Sequence, residues 1–114
     1  MSEMDISDPL KPAALHILLA LAEGERHGYA IMQAVREQSR GGVPLRTGSF
    51  YRHLSQLLEA GWVGEVKAPA GDDPRRGAYY RLTPRGRTAL QAERARLVAL
   101  LDAFPRRSAR RSHS

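Results

Sequence analysis

The chain has 114 residues, enough for one small domain and an appended helix, and its 42% hydrophobic and 26% charged residues are ordinary for a folded domain. The formal charge of +6 and the pI of about 10.5 favour a polyanionic partner over an acidic small substrate. The absence of cysteine excludes disulfides and thiolate zinc sites. Residues 1–10 lack the apolar core of a signal peptide, and the longest apolar stretch, AALHILLALA, is too short to span a bilayer, so we expect a cytoplasmic protein with no membrane contact.

The first predicted helix begins at Asp8, a capping residue followed by Pro9, and ends at Gly24. Leucine, isoleucine and alanine cover nearly all of its surface, which is typical of a helix buried on two sides. Two arrangements fit this pattern. The helix lies at the centre of the domain, or it packs one face on the domain and the other on a second subunit.

Residues 27–38 predict a second, shorter helix, and the glycine-rich residues 39–44 predict a turn. A third helix is expected from Thr47, as its cap, to Ala60. Its apolar stripe consists of Phe50, Leu54, Leu57 and Leu58. The opposite face carries Ser49, Arg52, Gln56 and Glu59. Hydrogen-bonding side chains on that face suit contacts with base edges or phosphates.

Residues 62–67 and 78–82 predict two strands of a hairpin, with Arg75 and Arg76 at the tip of the loop between them. Thr83 and Pro84 then start a last helix that runs to about Phe104. The predicted fold is α+β and mainly helical: three helices, a two-stranded wing and one more helix, the layout of a winged helix-turn-helix. In that layout the third helix enters the major groove and the wing reaches the DNA backbone or minor groove.

Three stretches in this order resemble the PadR family of bacterial transcriptional regulators: ILLALAEGERHGYAI (17–31), TGSFYRHLSQLLEAGWV (47–63) and YYRLTPRGRTAL (79–90). The resemblance implies a homodimeric repressor, and the single carboxy-terminal helix is similar to the short subgroup of the family. The chain departs from the family pattern in three places. Leu57-Leu58 stands where Leu-Glu is frequent, Trp62 replaces an aliphatic residue, and Gly77-Ala78 separates the arginines from the tyrosine pair.

We predict a winged helix-turn-helix domain over residues 8–83, a dimerisation helix over 84–104 and a basic tail over 105–114. The tail is either a disordered end or a weak nonspecific DNA clamp. The residues expected to contact double-stranded DNA are Thr47, Ser49, Tyr51, Arg52, Gln56, Arg75 and Arg76. The competing interpretation of these residues is a solvated helix face and a soluble loop tip, which Asp72 and Asp73 beside the arginines would also suit.

The last helix carries a heptad-like seam of Leu90, Leu97, Leu101 and Phe104. Either it folds back on its own domain, or it packs on the first helix of a second subunit, which would explain why that helix is apolar all round. We favour the homodimer. The predicted dimerisation residues are Leu15, Leu19, Leu90, Leu97, Leu101 and Phe104. The resemblance also implies that the centre of the dimer can admit apolar ligands, so a pocket for a small apolar or aromatic effector is expected between the first and last helices.

No histidine spacing suits a metal, no catalytic arrangement is visible and no glycine-rich phosphate loop occurs, so we predict neither an enzyme nor a bound metal or cofactor. The predicted function is a dimeric, sequence-specific DNA-binding regulator, most simply a repressor that reads an inverted repeat with two helices about 34 Å apart. The alternative is a winged-helix module that binds protein and has only nonspecific affinity for nucleic acid.

Overall fold

The computed structural model of the protein describes residues 9–106. Within this range the elements, in chain order, are α1 (Pro12–Ala22), β1 (Arg26–His27), α2 (Gly28–Gln38), α3 (Thr47–Glu59), β2 (Val63–Val66), a 3-10 turn (Pro74–Arg76), β3 (Tyr79–Leu82) and α4 (Pro84–Asp102). This is an α+β winged-helix architecture: three helices, a small antiparallel sheet and a long final helix. The predicted fold class is confirmed. Asp8 and most of the predicted tail, from residue 107 onward, lie outside the described residues.

Helix α1 begins three residues later than the prediction placed it, at Pro12 and not at Pro9. A start at Pro9 would put Pro12 where a helix needs its first backbone N–H donor, which proline lacks, and the ring would clash with the preceding turn. Pro12 instead occupies the first helical position, where no donor is needed. The first helical hydrogen bond then runs from Leu15 N to Lys11 O, at 3.0 Å.

The sheet has three strands in the order β1-β3-β2, one more than the predicted two-stranded wing. The additional strand is the short β1, whose Arg26 and His27 lie opposite Tyr80 and Tyr79 of β3. The His27 and Tyr79 rings meet edge to face, 5.4 Å apart. This pairing ties the connection between α1 and α2 to the base of the wing.

The hydrophobic core lies around α1, which packs against α2, α3, α4 and β3. Its fully buried large side chains are Ile17, Leu18, Ile31, Val35, Phe50, Leu54, Leu57 and Trp62. Helix α1 therefore lies at the centre of the domain, although Leu19 on the same helix is 36% exposed. Trp62, which precedes β2, is completely buried.

The start of α4 is built as the Thr83-Pro84 pattern predicted. Thr83 Oγ1 accepts a hydrogen bond from Gly86 N at 3.0 Å and donates one to Gly61 O at 2.6 Å. One hydroxyl group therefore caps α4 and joins it to the turn that follows α3. No helix within residues 9–106 combines the length and apolar character needed to cross a membrane.

Candidate nucleic-acid interface

The surface that helix α3 exposes is polar, because its apolar side chains are buried in the core. Phe50, Leu54 and Leu57 are buried, which turns Arg52 and Gln56 outward, and both are exposed. Arginine can form paired hydrogen bonds with guanine, and glutamine with adenine, in the major groove. Reading bases in this way requires a helix that is packed firmly on one side and carries such residues on the other, which is the arrangement of α3.

Ser49 is less outward than predicted. It is half-buried, and its hydroxyl donates to Arg46 O at 3.3 Å. Gly48 and Ser55 are exposed on the outward face and were not among the predicted contacts. At 100° per residue Gly48 lies nearer than Ser49 to the direction opposite the predicted stripe, so helical geometry alone was sufficient to select it. Ser55 lies nearer than Ser49 only when the half-buried Leu58 is left out of the stripe.

Thr47 does not cap α3 as predicted. Arg46 is the N-cap residue, with extended backbone angles, and its carbonyl accepts the first helical hydrogen bond from Phe50 N at 2.8 Å. Thr47 is already helical, so its hydroxyl is not placed to cap the turn and is exposed. The amino end of α3 therefore has no side-chain cap, and Thr47 lies there beside backbone N–H groups, which favour an anion.

Tyr51 links α3 to the start of α2. Its ring packs edge to face on Phe50, 4.8 Å away, and remains partly exposed. Its hydroxyl lies over Gly28, the first residue of α2, where a Cβ atom would come within 2.7 Å of the tyrosine oxygen. The hydroxyl is thus held at a helix start, which suits the predicted phosphate contact.

The arginines at the wing tip are exposed but already ion-paired. Arg75 forms a two-pronged contact with Asp73, through Nε to Oδ1 at 3.1 Å and NH2 to Oδ2 at 2.9 Å. Arg76 NH1 lies 2.8 Å from Asp72 Oδ1. Hydrogen bonds from the Arg75 side chain and then from its backbone N–H lower the pKa of the Asp73 carboxyl, so this group is charged at neutral pH. The tip is therefore charge-balanced, and the two aspartates that suited the soluble-loop interpretation are the partners of the two arginines.

The predicted dimerisation residues separate into two groups. Leu15 and Leu90 are half-buried within the chain, whereas the seam beyond Glu93 is exposed. Leu101 and Phe104 are 68% and 64% exposed. The proximal half of α4 therefore folds back on α1 of its own domain, whereas the distal half does not, so the first of the two alternatives holds for the proximal half only.

An open cavity of about 400 Å³ lies along α2, lined by residues that include Arg26, Tyr29 and Gln33. It contains no residue of α4, so it is not the effector pocket expected between α1 and α4. Within residues 9–106 no group of three histidine, aspartate or glutamate side chains is arranged to hold a metal ion.

Comparisons with known proteins agree with this geometry. The chain has the fold of a PadR family transcription regulator from hypervirulent Clostridium difficile, with a TM-score of 0.69, 21% identity, and coverage of 81% of this chain and 93% of that one. It also matches smu.1704 from Streptococcus mutans (TM-score 0.67, 21% identity, 94% and 98% covered). RosR from H. salinarum matches with a TM-score of 0.66 and 25% identity, over 84% and 81% of the two chains.

None of the curated proteins is similar enough to match. A sequence model of the transcriptional regulator PadR-like family matches residues 17–92, which extend from α1 through the first half of α4 and include both α3 and the wing. Proteins of this family are regulators that act on DNA and are not enzymes. The chain belongs to the PadR-like family of transcriptional regulators.

Proposed function

We propose that the protein is a dimeric, sequence-specific repressor that binds an inverted-repeat operator through α3 and the wing. Family membership implies DNA binding. The observation that supports sequence-specific binding is the exposed polar face of α3, where Arg52 and Gln56 lie on the side opposite the buried apolar stripe. The packing of α3 on β2 holds that face and the wing on one unit.

Each predicted contact takes a role suited to its chemistry. Arg52 and Gln56 read base edges from the major groove, and Ser49 supplements them from the flank. Thr47 and Tyr51 hold phosphates at the starts of α3 and α2. Arg75 and Arg76 contact the backbone from the wing.

The distal half of α4 supports the dimer. Leu97, Leu101 and Phe104 are all exposed in the single chain, as is Leu19 on α1. Burying such side chains against a second copy contributes about 1.5–3 kcal/mol for each one that is fully covered. Two recognition helices related by a twofold axis would then read half-sites about 34 Å apart.

Release from the operator completes the proposal. An apolar or aromatic effector would bind between α1 and α4 of the dimer, where the exposed leucines Leu19 and Leu97 lie. It releases the operator by favouring a dimer in which the two α3 helices are differently spaced, which requires it to bind that state more tightly.

Replacing Arg52 tests the base-reading role. Operator duplexes would be selected from a random pool, and binding measured by fluorescence anisotropy against scrambled DNA at several salt concentrations. Because a paired arginine–base contact contributes about 1–3 kcal/mol, we expect Arg52→Gln to weaken operator binding roughly tenfold and to relax preference at one base pair. Its effect on scrambled DNA should be smaller.

Arg85→Gln is the matched control. Arg85 is an exposed arginine in the first turn of α4, beside Gly61, and its replacement makes the same charge change away from the outward face of α3. Equal losses for the two variants would contradict base reading by α3. Salt-dependent binding without sequence preference would favour the protein-binding module instead, which also predicts that replacing Arg52, Arg75 and Arg76 together leaves function intact.

A further inference from the structure

The wing tip is electrically balanced, which is unexpected for a part of the protein that contacts a polyanion. Between Gly71 and Gly77 the loop carries two aspartates and two arginines. Each arginine is paired with one aspartate, so the charge that would attract phosphate is neutralised within the loop. This arrangement lowers the affinity of the wing for any DNA that it meets.

The two ion pairs are not equivalent. The Asp72 side chain is only 9% exposed, its backbone N–H donates to Pro69 O, and its second carboxylate oxygen is buried without a hydrogen-bond partner among residues 9–106. Withdrawing Arg76 would leave that buried carboxylate uncompensated. The Arg75 side chain, by contrast, is 89% exposed, and the pair with Asp73 lies in solvent. Arg75 is therefore the arginine that can change partners.

We infer that Asp73 is a specificity-determining residue: it holds Arg75 in loose, nonspecific complexes and releases it to a phosphate when α3 is seated in its operator. An exposed ion pair is weak, and a phosphate offers arginine the same two-pronged contact as a carboxylate. Seating α3 holds the wing next to the backbone and so raises the effective concentration of phosphate at Arg75. On nonspecific DNA the wing is not held there, and the carboxylate keeps its partner.

Asp73→Asn tests the inference, which rests on the proposed DNA contacts of α3 and the wing. Asparagine retains an oxygen for the hydrogen bond from Arg75 N, now 3.0 Å long, so the 3-10 turn keeps its cap while the negative charge is lost. We expect binding to scrambled DNA to tighten about two- to fivefold, with a salt dependence steeper by about one phosphate contact. Binding to the operator should tighten less, so the specificity ratio falls.

Two further comparisons separate this effect from a general change of charge. Glu65→Gln removes one negative charge at the exposed position of β2, and within residues 9–106 Glu65 forms no salt bridge, so the specificity ratio should stay near that of the wild type. In an Arg75→Gln background Asp73→Asn should tighten binding to scrambled DNA no more than Glu65→Gln does. If Glu65→Gln lowers the specificity ratio as much as Asp73→Asn does, the inference is wrong. It is also wrong if Asp73→Asn tightens binding to scrambled DNA as much without Arg75 as with it. Neither result would contradict the proposed function. A wild-type protein without operator preference overturns the proposed function and this inference with it.

Discussion

Gly86 shows how one residue places the long helix of this protein. It is the third residue of α4, and a Cβ atom there would overlap the carbonyl oxygen of Trp62 and lie 2.9 Å from its carbonyl carbon. The same atom would be 2.8 Å from Leu82 Cδ1. Only glycine lets α4 approach the backbone of Trp62, the residue before β2, this closely. The glycine in the Leu-Thr-Pro-Arg-Gly stretch is therefore required by packing and not by DNA contact.

Gly86→Ala is expected to lower the free energy of unfolding by about 2–3 kcal/mol, because the backbone of α4 or of Trp62 must move to admit the methyl group. Gly48→Ala is the control. Gly48 is also near the start of a helix, and a Cβ atom there would have no neighbour within 4 Å, so stability should stay within about 1 kcal/mol or rise. Urea unfolding followed by the fluorescence of Trp62, at one protein concentration, measures both. Similar values for the two variants would contradict the packing explanation.

At the scale of elements, the connection between α3 and α4 joins the proposed DNA-reading helix to the proposed dimerisation helix. Thr83 contacts both, since its hydroxyl caps α4 at Gly86 N and holds the turn after α3 at Gly61 O. Its backbone N–H also donates to Trp62 O at 3.1 Å. A change in the orientation of α4 within a dimer would therefore move the carboxyl end of α3.

Thr83→Val should destabilise the fold by about 1–2 kcal/mol, because it removes the cap of α4 and the bond to Gly61 together. Thr88→Val makes the same chemical change at an exposed site in the next turn, where the hydroxyl donates only to Pro84 O, and should cost less than about 0.5 kcal/mol. Thermal unfolding of both variants under identical conditions is the measurement. A loss at Thr88 as large as that at Thr83 would show that the link between the two elements contributes nothing.

The sequence predicted most helices and strands correctly from patterns of neighbouring residues. It missed the features that depend on the backbone conformation of a turn or on pairing with a distant strand. Thr83 before Pro84 was correctly interpreted because a cap and its helix are adjacent in the chain. Thr47 is also a threonine near a helix start, but the residue with the extended backbone of an N-cap is Arg46, so Thr47 is already inside α3. Strand β1 has two residues, too few for any periodicity, and exists because β3 lies beside it. The pairing of Asp73 with Arg75 depends on the 3-10 turn, so the sequence showed the charges at the wing but not their neutralisation.

At the scale of the whole molecule, the chain is elongated because α4 extends beyond its own core. The principal extents are 61, 30 and 24 Å, and a helix of 19 residues is about 28 Å long. The side chains of Leu97, Leu101 and Phe104, in the projecting end of α4 and just after it, are exposed to solvent. A second copy covering this surface would also set the distance between the two α3 helices, so dimerisation and operator reading are expected to fail together.

The most direct test of a dimeric operator reader is sedimentation equilibrium of the protein alone and bound to its selected duplex. We expect two chains per duplex for the wild type. Leu97→Gln combined with Leu101→Gln should give a folded monomer whose operator affinity is at least about tenfold lower, because each replaced leucine loses about 1.5–3 kcal/mol of apolar burial. Ala99→Gln, on the opposite side of α4, should remain a dimer. One chain per duplex, or a doubly substituted protein that stays dimeric and binds the operator as tightly as the wild type, would contradict the account.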